Sequence, residues 1–147
     1  MSRPVRSIAL SVGTLVAFGL QLRGAEPSTS VFTAQQAESG RVGYAQHCAS
    51  CHMPDLSGSN DAPELAGPNF KSAWQTKTTI DLLDYVSGAM PPGGATLDTK
   101  AYASIVAHIL RTNGAEPGME PLSRATKLAI GAVITVQSTA RREPSKN

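Results

Sequence analysis

Cys48-Ala49-Ser50-Cys51-His52 constrains this chain more than any other stretch, because it holds both of the chain's cysteines. Two thiols three residues apart with an imidazole directly behind them form the pattern of c-type heme attachment. The thiols add to the two vinyl groups on one edge of the porphyrin, and the next residue swings its imidazole under the iron as proximal ligand. With Cys and His both rare, chance places such a pentad in under ~1% of chains this long. A zinc site needs four ligands, and His47 and His52 flank the cysteines too closely to complete a tetrahedron with the distant His108. A thioredoxin-like dithiol follows a β-strand and opens a helix. Here the residues before Cys48 read as a helix instead.

Export fits the same chemistry. Arg3 and Arg6 precede a mostly apolar run from Ile8 to Leu22, the layout of a signal peptide over residues 1–25. The run is shorter than the ~20 apolar residues of a spanning helix. An uncleaved N-terminal anchor is the alternative, and only in that case does the chain meet a membrane. Removing Arg3, Arg6 and Arg23 with the leader leaves ten basic against eleven acidic side chains. Such a balance excludes an electrostatic nucleic-acid binder. The expected location is the periplasm.

The rest of the chain reads as helices and loops. Residues 26–32 form a short polar linker, and Thr33 with Gln36 three places on resembles a capping box. Ala37, Gly40, Tyr44 and Cys48 recur at helical spacing into the pentad. Prolines, glycines and small polar residues make a loop of 53–67, with a rigid turn at Gly67-Pro68-Asn69-Phe70. Thr78 or Thr79 caps a second helix with Leu82, Tyr85, Val86 and Ala89 inward, broken by the Pro- and Gly-rich segment 88–94. Asp98 caps the best-patterned helix, in which Tyr102, Ile105, Val106, Ile109 and Leu110 share a face and Asn113-Gly114 stops the run. Nothing alternates like a strand. The expected fold is therefore all-α, with three main helices wrapped around one covalently attached heme. Aromatic residues make up just 5% of the chain, so the porphyrin supplies core area that the side chains lack.

Iron held by His52 needs a sixth ligand from the opposite face of the ring. Met1 belongs to the leader, Met53 adjoins His52, and Met119 lies beyond the last helix. Met90, 38 residues from His52 and followed by Pro91-Pro92, is the expected axial thioether. If Met90 does not bind, the heme becomes an open site for a small ligand or peroxide. No nucleophile and base stand together in the sequence, so no enzyme activity is expected of the chain alone.

Over residues 33–114 the sequence resembles the class I c-type cytochromes. In detail it is similar to the heme domains associated with quinoprotein alcohol dehydrogenases. The resemblance implies a one-electron carrier, or the electron-accepting subunit of a dehydrogenase or respiratory complex. It implies one heme c, held by Cys48 and Cys51, with His52 and Met90 on the iron. Partners would be redox proteins: a dehydrogenase, a terminal oxidase or another cytochrome. By the same match, Gly40 and Tyr44 meet the final helix, the Pro68 carbonyl orients His52, and Trp74 lies against a heme propionate. His108 stands where relatives usually carry an aromatic residue. Residues 115–147 form a C-terminal extension whose apolar run, Leu128 to Val136, suits packing on the domain, docking to a partner or partial disorder.

Overall fold

The computed structural model describes residues 29–93 and 97–134, so the expected leader over residues 1–25 and the end of the apolar run to Val136 lie outside the described residues. The chain forms α1 (Ala34–His47), α2 (Ala49–His52), α3 (Pro68–Trp74), α4 (Thr79–Ala89) and α5 (Thr99–Thr112). Among the described residues there are isolated bridges but no strand. The three longer helices are those expected from the sequence; between them lie α2, a single turn, and α3, about two turns.

Helix starts follow the local side chains. Thr33 Oγ1 accepts from the Gln36 amide at 3.1 Å, and Asp98 Oδ1 accepts from the Ala101 amide at 2.7 Å. At α4 the capping box is complete, because Asp81 also takes the Thr78 amide at 2.8 Å. That amide, with the Thr78 hydroxyl, holds the Asp81 carboxyl below the usual carboxylate range. The first box is not completed. The Gln36 side chain turns away from its own helix to meet Leu122.

Packing centres on the crossing of α1 and α5. Ala37, Gly40 and Tyr44 face Tyr102, Ile105, Val106, Ile109 and Leu110, all buried. Burying an aliphatic side chain of this size contributes about 1.5–3 kcal/mol. Gly40 lets the backbones touch, since a Cβ there would lie 1.7 Å from the Ser104 carbonyl oxygen. On α4 the inward face is Thr79, Leu82, Leu83 and Val86. Tyr85 and Ala89, expected inward, are exposed. The buried positions run i, i+3, i+4, i+7 from Thr79, which leaves Tyr85 at the edge of the stripe.

Both segments flanking the expected domain join this core. Val31 and Phe32, read from sequence as part of a polar linker, are fully buried, and Phe32 accepts from the Gly118 amide at 2.7 Å. Residues 115–134 run back over the helices rather than leaving them. Ala115, Leu122, Ile130, Val133 and Ile134 are buried in the same cluster, and residues 130–134 are helical. Gln36 fastens this return: its Nε2 donates to the Leu122 carbonyl at 2.9 Å and its Oε1 accepts the Leu122 amide at 2.7 Å. Further along, Ile130 and Gly131 donate to the carbonyls of Lys77 and Gln75, and the Thr79 hydroxyl donates to Thr126. Substituting Gln36→Leu strands both polar groups of a part-buried peptide and should cost about 1–3 kcal/mol in denaturant unfolding. A change within error would show that the extension is held by its apolar side chains alone.

Candidate heme site

The pentad lies where α1 ends and α2 turns. The Cys48 amide donates to the Tyr44 carbonyl at 2.9 Å and ends α1, and the His52 amide returns to the Cys48 carbonyl at 2.9 Å to close α2. One helical turn therefore carries Cys48, Cys51 and His52 at i, i+3 and i+4, on one side. Neither thiol is in a disulfide. Cys48 is half-buried, which pushes its thiol up, and Cys51 is exposed. His52 is 8% exposed, and its Nδ1 lies 2.8 Å from the Pro63 carbonyl oxygen. A carbonyl can only accept, so Nδ1 carries the proton and Nε2 is the nitrogen available to a metal.

That contact corrects the sequence reading. The carbonyl that orients His52 belongs to Pro63, not Pro68. Pro68 opens α3 at its first position, where its ring suits the helix start and its carbonyl points along the helix. Pro63 lies in the loop and Pro68 just beyond it, and only the chain's path decides which one reaches the imidazole.

The loop from Met53 to Gly67 is fastened at several points. Met53, Leu56 and Gly58 all have positive φ, and the Leu56 side chain is buried beneath the loop. The amides of Leu56 and Gly58 donate to the carbonyls of Met53 and His52 at 3.1 and 3.0 Å. Asn113, read from sequence only as a helix stop, ties the far end to α5. Its Oδ1 accepts the Gly67 amide at 3.0 Å, and its Nδ2 donates to the Leu65 carbonyl at 2.8 Å. A buried Asn at the C-cap was the one sequence signal for this clamp, and its partners lie 46 and 48 residues away.

Met90 sits at the C-cap of α4 in extended conformation, before a cis Met90–Pro91 bond. Its amide still bonds to Val86, and its carbonyl accepts from the Tyr102 hydroxyl at 2.8 Å. Its half-buried side chain packs on the core. Met119, by contrast, is 92% exposed. Trp74 stands beside Phe70 and Tyr85, with ring centroids 6.4 and 5.5 Å away, and the Lys77 ammonium lies over its ring. His108 packs on Tyr44 at 5.4 Å between ring centroids, filling the aromatic's position at the helix crossing. Burial first, then Arg41 and Arg111, holds its imidazole below the ordinary value.

The donor set fits a c-type heme. Two unbonded thiols flank a buried imidazole whose outer nitrogen is already engaged, the usual arrangement behind a metal-bound histidine. Helices crossing at a glycine with this turn between them define a c-type cytochrome domain. Residues 35–109 match the family model described as cytochrome c oxidase, cbb3-type, subunit III, and the chain belongs to this family. No curated protein matches. Among solved structures, the sulfane dehydrogenase SoxCD from Paracoccus pantotrophus is similar at 24% identity, over 88% of this chain and 73% of that one, with a TM-score of 0.42. A cytochrome c domain implies heme c and electron transfer. Among the described residues, no helix is long and apolar enough to cross a membrane.

Proposed function

We propose that the chain is a periplasmic carrier of single electrons with one covalent heme c, working alone or as the electron-accepting subunit of a larger oxidoreductase. The observation that carries this reading is the single turn bearing Cys48, Cys51 and a His52 held at Nδ1 by Pro63. When bound, the heme supplies a one-electron iron couple. The protein's residues do the rest. Cys48 and Cys51 would hold the porphyrin through thioether bonds, and His52 Nε2 would ligate the iron. Met90 would offer its thioether as the second iron ligand, with its backbone fixed by Tyr102. Trp74 would offer its indole N–H to a propionate. Two protein ligands that stay on the iron in both oxidation states keep reorganisation small, which suits a carrier. Redox proteins are the partners, and the leader over residues 1–25 would place the chain in the periplasm.

A heme-stained denaturing gel tests the reading. Mature protein from a host with heme-attachment machinery should stain at its own mass, and Cys48→Ser/Cys51→Ser should not. An unstained wild-type band with two thiols that oxidise reversibly would replace the carrier with a dithiol redox protein.

A further inference from the structure

The chain reverses sharply after His52, and it does so on a residue poorly suited to the turn. Met53 has φ 64° and ψ 152°, a region of backbone space that glycine occupies and other residues rarely enter. Something must hold it there. The amides of Leu56 and Gly58 supply two bonds from within the loop. The third comes from outside it. Tyr44, on α1, lies with its hydroxyl 2.8 Å from the Met53 carbonyl and 3.2 Å from the His52 carbonyl, so one proton serves the two peptides that follow the imidazole.

Tyr44 is itself fixed from two sides. It stands one helical turn beyond Gly40, the position at which α1 meets the backbone of α5, and its buried ring packs on His108. The backbone contact between α1 and α5 is thus linked through one hydroxyl to the peptide bearing His52. Pro63 fixes the Nδ1 side of the imidazole, and a ring pinned at Nδ1 still swings if its own backbone shifts.

We propose that Tyr44 is a positioning residue for the His52 imidazole, acting through its hydroxyl bonds to the His52 and Met53 carbonyls. This rests on His52 being an iron ligand, as the proposed function has it. The hydroxyl holds Met53 in a conformation that its side chain disfavours, and that conformation sets the direction from which His52 enters the site. Glycine at position 53 would adopt the same turn without help.

Tyr44→Phe keeps the ring and removes only the O–H. In the heme-loaded protein, heme stain and helix content should be unchanged, while the Leu56 and Gly58 amides exchange about five- to tenfold faster, the factor that one ordinary hydrogen bond corresponds to. The paramagnetic shifts of the heme methyls, which report the plane of the axial imidazole, should change in the ferric protein. Adding Met53→Gly should restore both. Unaltered methyl shifts, or a glycine that restores nothing, would overturn the proposal and leave the heme reading standing. A wild-type chain without attached heme would overturn that reading first, and the proposal with it.

Discussion

Replacing Met90 with histidine should lower the midpoint potential by on the order of 100–200 mV, because a soft neutral thioether favours ferrous iron and an imidazole does so less. About 59 mV is a tenfold change for a one-electron couple, so the shift amounts to roughly fifty- to a few-thousandfold in the equilibrium constant for electron exchange. With Met90 on the iron as proposed, the exchange keeps two protein ligands there. It also leaves the backbone in place, since the Tyr102 hydroxyl holds the Met90 carbonyl whatever side chain follows. Met90→Ala should behave differently and open that face to water, cyanide or carbon monoxide, with a gain of peroxidase activity. The controls are Met53→Leu and Met119→Leu, which should move neither the potential nor the ferric sulfur-to-iron absorbance band. Potentiometry decides the matter. An unmoved potential in Met90→His together with a shift in Met119→Leu would transfer the ligand to the extension.

Gly40→Val should destabilise the protein by about 4 kcal/mol or more, at the upper end of what overpacking costs. Its Cβ would overlap a backbone carbonyl on α5 rather than the flexible end of a side chain, so no rotamer change relieves it. The helices must part, and Ile105, Val106, Ile109 and Leu110 lose packing together. Gly43 supplies the control. A Cβ there meets only the Ile105 side chain, Cγ1 at 3.3 Å and Cδ1 at 3.5 Å, which can give, so Gly43→Ala should cost far less. Thermal unfolding of the two variants separates them, and equal losses would refute a backbone contact at Gly40.

Much of the site was legible because its chemistry is local. Cys48, Cys51 and His52 are adjacent in sequence and occupy one turn, so their spacing already contained their geometry. The caps at Thr33, Thr78 and Asp98 act within three residues and were readable for the same reason. The face of α5 declared itself by period. Less legible were features that depend on how two distant segments meet. The family resemblance points to the Pro68 carbonyl for orienting His52, whereas the path of the chain brings the Pro63 carbonyl there. Gln36 looked like the second half of a capping box and is instead the clamp on Leu122, 86 residues on. Val31 and Phe32 follow a polar stretch, and nothing local marks them as core.

The amino-acid sequence by itself determined the kind of cofactor chemistry and the helices. Each depends on residue type and short-range spacing, which bond geometry converts directly into structure. Tertiary structure alone decided which carbonyl holds the proximal imidazole, that Tyr44 reaches the peptide behind it, and that residues 115–134 belong to the core. These contacts join segments whose separation in the chain carries no information about their distance in space. They exist only once the buried surfaces of α1, α5 and the returning extension have been satisfied together.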